Sequence, residues 1–290
     1  MRIICKDLTY SYDPKKKPAV YALNKVSLTI NEGEFFGIIG QTGSGKSTLI
    51  QHLNALLPVQ EGFLSVGEFD LSLKDKKKYK KQLKELRSKV GMDFQYPEYQ
   101  LFAESVFDDV AFGLKNFFPN LNANEVAQRV ANALNAVGLN YYEVKDKSPF
   151  DLSGGQKRRV AIAGVLVTDP EVLVLDEPVA GLDPAGKKEL MALLHSLENG
   201  RRTIIIVSHD MDEVLENCSR IAVMQQGELV KIGTPEEVFN SNQSYAGLNL
   251  PVTVQVNNLL KERGINLNCN FKTEQFICDL ERFFKKTTNN

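Results

Sequence analysis

The chain has 290 residues, 43% of them hydrophobic, enough for one large core or a core with a small accessory unit. Its 35 basic and 36 acidic side chains leave a formal charge of −1, which excludes a general attraction to nucleic acid or anionic lipid. Cys5, Cys218, Cys269 and Cys278 are scattered, with no C-x-x-C pair and no metal-ligand spacing, the pattern of reduced thiols in a cytosolic protein.

Met1-Arg-Ile-Ile-Cys-Lys-Asp places charges where a signal peptide needs an apolar stretch. No apolar run approaches the roughly 20 residues that span a bilayer, so the chain is expected to be soluble and to reach any membrane through a partner. Ile3-Ile-Cys5 and Val26-Ser-Leu-Thr-Ile30 read as strands, and Glu34-Phe-Phe-Gly-Ile-Ile-Gly40 as a buried strand running into glycines. A helix is expected from Lys46 to about Leu57, ended by Pro58.

Residues 74–89 are lysine-rich, with Leu83, Leu86 and Val90 at near-helical spacing; the lysines are expected on a solvated helix face rather than in a phosphate or membrane patch. From about 101 to 168 the pattern is mainly helical. Asn122-Ala-Asn-Glu125 marks a helix start, followed by a stripe of Val126, Val130, Ala133, Leu134 and Val137 that stops at Gly138. Strands return at Val172–Leu175, Thr203–Val207 and Arg220–Met224, two of them followed by helical patterns, which predicts a mainly parallel sheet covered on both faces. After about Phe239 the Asn- and Ser-rich stretch 240–244 reads as a linker, and Glu274–Lys286 as an amphipathic tail helix.

Gly40-Gln41-Thr42-Gly43-Ser44-Gly45-Lys46-Ser47 fits G-x-x-x-x-G-K-[ST] between a strand and a helix, the phosphate-loop pattern. Glycines let backbone N–H groups turn inward onto phosphate oxygens, and the following helix adds a favourable dipole. Lys46 is assigned to the β- and γ-phosphates and the Ser47 hydroxyl to Mg²⁺, with Thr48 beside it in the ATP site. Val172-Leu-Val-Leu-Asp176-Glu177 supplies the second half: Asp176 at a strand end to hold Mg²⁺, and Glu177 to polarise the attacking water.

Leu152-Ser153-Gly154-Gly155-Gln156 identifies the chain as a member of the ABC superfamily, over about residues 1–240. That resemblance implies an ABC nucleotide-binding fold of the α/β class: a RecA-like parallel-sheet core, an N-terminal antiparallel β part and a helical insert. It further implies a dimer in which the signature of one subunit caps the ATP of the other. Gln95 resembles the Q-loop glutamine that reaches Mg²⁺ and water, Asp183 lies in a D-loop-like Ala180-Gly-Leu-Asp183, and His209 resembles the switch histidine. Tyr12 is the first choice for stacking on adenine, with Tyr10 and Tyr21 as competitors.

Phe94-Gln-Tyr-Pro-Glu-Tyr-Gln-Leu-Phe102 resembles the Q-loop of ATPases from energy-coupling factor transporters, importers of vitamins and transition-metal ions. The resemblance implies a second ABC ATPase subunit, a membrane scaffold subunit and a substrate-binding membrane subunit as partners, at the cytoplasmic face of the cell membrane. It makes Glu98 the acid that meets a scaffold arginine, and residues 241–290 a small helical extension that helps pair two cassettes. Gly247-Leu-Asn-Leu-Pro251 matches a family segment except that Asn249 replaces the usual acid. The tail stripe Phe276, Ile277, Leu280, Phe283 and Phe284 must be covered by the chain's own body or by the partner cassette. An ATPase of another ABC importer is the alternative; a soluble ABC protein acting on ribosomes or DNA fits less well, lacking a second cassette or a coiled coil.

Overall fold

The computed structural model describes residues 1–15, 20–198, 202–240, 245, 247–267, 269 and 271–288. Most of the expected linker, residues 241–244, lies outside the described residues.

Strands β1 (Ile3–Tyr10), β2 (Leu23–Ile30) and β3 (Phe35–Gly40) lead into helix α1 (Lys46–Leu53). After it come β4 (Glu61–Val66), β5 (Phe69–Asp70), α2 (Lys76–Lys89) and β6 (Val90–Asp93). The insert contains α3 (Val106–Phe117), α4 (Ala123–Ala136), α5 (Tyr141–Val144) and α6 (Gly154–Leu166). Then follow β7 (Val172–Asp176), α7 (Pro184–Glu198), β8 (Thr203–Val207), α8 (Met211–Asn217), β9 (Arg220–Gln225), β10 (Glu228–Gly233) and α9 (Pro235–Phe239). Helices α10 (Val252–Glu262) and α11 (Thr273–Thr288) form the extension. None of the helices among the described residues is long and apolar enough to cross a membrane.

Two sheets result. The antiparallel one has the order β2-β1-β4-β5, and the larger one the order β10-β9-β3-β8-β7-β6, parallel except for β10. Period-2 alternation of apolar residues lets the larger sheet serve two cores at once. Phe35 and Ile39 of β3, Leu173 and Leu175 of β7, and Ile204 and Ile206 of β8 face the helical insert. Phe36 and Ile38, Val172 and Val174, and Ile205 and Val207 face the antiparallel sheet.

Local signals act where expected. Asn122 and Glu125 form a reciprocal capping box at the start of α4, and its stripe is buried at Val130, Ala133, Leu134 and Val137. Asp75 caps α2, whose lysines stand on an exposed face while Leu86 is buried. Helix α1, in contrast, stops at Leu53 rather than near Leu57. Pro58 does not set this end: Arg87 of α2 takes the carbonyls of Asn54 and Ala55 at 3.3 and 3.0 Å, and Ala55 turns to a φ of 55°.

The extension is packed on α8. Val254, Phe271 and Phe276 share a core with Met211, Val214 and Leu215. Asp212 accepts the Val252 N–H at 2.8 Å, and Glu216 accepts the Thr273 N–H at 2.6 Å, so two side chains of α8 receive the first amides of α10 and α11. The tail stripe is divided: Phe276 is buried and Leu280 packs against the same core, whereas Ile277 is 49% exposed.

This division predicts unequal costs. Phe276→Ala should destabilise the chain by about 3–5 kcal/mol as a core cavity, and Ile277→Ala by under about 1 kcal/mol. Urea unfolding of the two variants checks it; equal losses would mean that the tail helix does not dock through Phe276.

Candidate nucleotide site

The order of the large sheet decides what converges. The phosphate loop leaves β3, Gln95 follows β6, Asp176 and Glu177 end β7, and His209 follows β8, all at the carboxyl ends of parallel strands. They border one open cleft of about 890 Å³, whose lining also includes Tyr12, Ala22, and Gly247, Leu248 and Asn249 of the extension.

The loop has its glycines for steric reasons. A Cβ on Gly40 would stand 2.3 Å from the Met224 carbonyl oxygen, and one on Gly45, at a φ of 101°, 2.4 Å from that of Ala22. Lys46 Nζ donates to the carbonyls of Gly40 and Gln41 at 2.7 and 2.9 Å. Burial lowers its pKa, opposed by the nearby carboxylates of Glu177 and Asp176. The Ser47 hydroxyl donates to Asp176 Oδ2 at 3.1 Å. Burial raises the Asp176 pKa against that hydrogen bond, and the neighbouring Glu177 charge adds to the rise. Ser44 Oγ is buried without a hydrogen-bond partner among the described residues, a polar atom left for a ligand or water inside the loop.

Glu177 adopts a φ of 55° and its carboxylate Oε2 lies 2.6 Å from His209 Nδ1. A non-glycine residue held at positive φ needs over-determined surroundings. Here Glu177 N–H donates to the Val207 carbonyl at 2.8 Å, and the Glu177 carbonyl accepts from Ala180 N–H at 3.1 Å. Of the three tyrosines, Tyr12 lines the cleft, its hydroxyl 3.1 Å from Thr48 Oγ1. Tyr10 is buried edge-on behind it, and Tyr21 does not border the cleft.

The signature residues are not part of this cleft. Leu152 is buried, while Ser153, Gly154 and Gly155 stand exposed at the start of α6. Ser153 and Gln156 form a capping box, so the Ser153 oxygen accepts the Gln156 N–H and its own proton remains available to donate. Asp183 is also outside the cleft, exposed and accepting the Gly186 N–H at 2.8 Å.

Two features were not read from the sequence. Gly247–Asn249 borders the cleft, a placement that the resemblance of this segment to a family motif did not indicate. Glu98, expected to meet a partner's arginine, lies 3.4 Å from Arg158 of the chain's own α6 and keeps 22% of its side-chain surface exposed. The second basic residue after the signature was the available signal, but nothing in the sequence brings positions 98 and 158 together.

Residues 23–180 match the ABC transporter family. The chain is 44% identical to the energy-coupling factor transporter ATP-binding protein EcfA2 of Clostridium tetani, covering all of both chains. It is 48% identical to EcfA2 of Symbiobacterium thermophilum over 91% of this chain and 90% of that one. The chain belongs to the energy-coupling factor ATPases of the ABC family. Among solved structures, CbiO1 of Clostridium perfringens, part of the ABC transporter complex CbiONQ, superposes with a TM-score of 0.73 at 39% identity, covering 90% of this chain and 96% of that one. The dimeric cassette MJ0796 bound to ADP and Pi superposes at 0.70 with 29% identity, covering 80% and 98%. Membership in this family makes the chain an ATP-binding ATPase of the ABC fold.

Beside Ser208, Glu213 is buried, accepts the Ser208 hydroxyl at 3.1 Å, and has its pKa raised by burial to about 7. From its ordinary value of 4.5 up to about 7, only the folded state holds this proton, so folded-state stability declines as pH rises through that window. Asp93, raised by burial to about 8, acts in the same direction. Glu213→Gln should remove its share of the decline, on the order of 2–3 kcal/mol between pH 5 and 8. Denaturant titrations across that range test it, and an unchanged slope would show that Glu213 is ionised when folded.

Proposed function

We propose that this chain is the ATP-hydrolysing subunit of an energy-coupling factor transporter, driving uptake of vitamins or transition-metal ions through a membrane scaffold. The observation that supports it most is a cleft with every part for Mg-ATP except the signature, in a chain similar end to end to EcfA2. The exposed Ser153, Gly154 and Gly155 amides and hydroxyl then act on the ATP of a second cassette, and Asp183 lies at that dimer interface. The substrate-binding membrane subunit completes the assembly, with this chain at the cytoplasmic face as a peripheral subunit.

In this reading, Tyr12 stacks on adenine and residues Gly40 to Thr48 hold the phosphates, with Lys46 supplying a point charge. Ser47 and Asp176, hydroxyl and carboxylate 3.1 Å apart, are hard oxygen donors that suit Mg²⁺, which takes few protein ligands and keeps phosphate oxygens and water. Gln95 is the third residue toward the metal. Mg²⁺ held there would supply charge neutralisation for the β- and γ-phosphates. Glu177 accepts the proton of the attacking water, and His209, 2.6 Å from its carboxylate, orients that base and meets the γ-phosphate. Hydrolysis and release reopen the pair of cassettes and move the scaffold. Glu98, still partly accessible, is the acid of this segment that a scaffold arginine can meet.

Glu177→Gln should preserve ATP binding and cut hydrolysis by roughly 10²–10⁴-fold, measured as phosphate release by the purified complex. Near-normal turnover would remove Glu177 from the role of base. Ser153→Arg should spare ATP binding by the isolated chain and lower hydrolysis by the assembled pair. Loss of affinity in the isolated chain would instead place the signature in its own site.

A further inference from the structure

Arg158 lies one turn behind the exposed signature and is almost completely buried, at 4% exposure. Its guanidinium serves two other segments. Nη1 donates to the Ala180 carbonyl at 2.9 Å, and Nε lies 3.4 Å from Glu98 Oε2 in the 3-10 turn Pro97–Gln100 that follows Gln95. Asp93, buried at the end of β6, is the second acid near this arginine, whose positive charge opposes the burial-driven rise of the Asp93 pKa. Ala180 is not an arbitrary acceptor: its N–H closes the turn that opens at Glu177, whose backbone is held at positive φ.

The two arms of Arg158 differ. The bond to Ala180 has good hydrogen-bond geometry, whereas Arg158 Nε and Glu98 Oε2 are both buried without a true hydrogen bond and meet only as charges. Glu98 faces the buried cation, whose best-directed donor is spent on the turn carrying the candidate base. Arginine suits this position because its planar group can donate to the Ala180 carbonyl with one nitrogen while another faces Glu98, a geometry an ammonium cannot fix.

We propose that Arg158 is a positioning residue linking the signature helix, which serves the partner's ATP, to the Glu177 turn, which serves the chain's own ATP, so that closure at one site sets the base of the other. The inference rests on the reading above, in which Glu177 is the base and Ser153 acts on a second cassette. When α6 is drawn toward the partner's nucleotide, the Ala180 carbonyl follows Arg158, and the 177–180 turn follows Ala180. Hydrolysis at the two sites is then mutually dependent.

The test uses the purified transporter complex and the full-length chain. Arg158 and Asp93 act on each other electrostatically in the same buried region, so Arg158→Met is made in an Asp93→Asn background and compared with Asp93→Asn alone. Expected are a Hill coefficient for ATP turnover above 1 in the Asp93→Asn complex, falling to about 1 in the double variant, and a kcat reduced about tenfold or more. ATP affinity of the isolated chain should stay within about twofold, as for a coupling that spares the binding site. Arg158→Lys, which keeps the charge without the fork, should remain well below wild-type turnover. The proposal is overturned by non-cooperative turnover in the Asp93→Asn complex or an unchanged kcat in the double variant. A kcat loss matched by lost ATP affinity, or full recovery with lysine, overturns it equally. Glu177→Gln run alongside separates the two levels: if it turns over normally, the assignment of the base fails; if it is dead while Arg158→Met is normal, only the link fails.

Discussion

Ile38 of β3, Val207 of β8 and Asp176 of β7 stand level across three neighbouring parallel strands, and the site depends on that register. Because the strands run the same way, each delivers its next residues to one edge: Gly40 from β3, Glu177 from β7, Ser208 and His209 from β8. Asp93 of β6 pairs with Leu175 of β7, so Gln95 leaves the sheet beside them. A slip of one residue in β7 would turn Asp176 to the opposite face and bring Leu175 to its level. The period-2 apolar pattern excludes this slip, since Leu173 and Leu175 belong to one core and Val172 and Val174 to the other. Register, packing and chemistry are therefore one constraint.

Much of this was legible because the chemistry lies in short contiguous runs. The phosphate loop, Asp176-Glu177 and the signature each combine an element boundary with the side chains that act there, so eight or fewer residues carry both signals. The capping box at Asn122 and the stripe to Val137 were readable for the same reason. What was not legible depends on distant partners. The end of α1 is set by Arg87, the orientation of Glu98 by Arg158, and the rim of the cleft by Gly247–Asn249, each remote in sequence from what it touches.

The unassigned strands have a related cause. β4 begins Glu61-Gly62, with Gly62 at a φ of 88° packed closely on the Asp7 backbone, and β10 carries charged Glu228 and Lys231 and leaves Leu229 to Ile232 exposed or half-buried. Both run at or near a sheet margin, where one face is wet and the apolar signal is thin. The buried strands β3, β7 and β8, apolar on both faces, gave themselves away by composition.

The attachment of α10 and α11 to α8 has a consequence for the order in which the molecule is completed. During synthesis the amino-terminal parts fold first, and the six strands of the large sheet are all made before residue 252 emerges. Yet α8, which begins two residues after His209, receives Phe271 and Phe276 into its core and offers Asp212 and Glu216 to amides made only later. A nascent chain can therefore hold the whole large sheet while Asp212 and Glu216 of the helix that follows His209 still lack the amides they accept in the finished fold. The helix that follows His209 gains its last hydrogen bonds only when the extension is made.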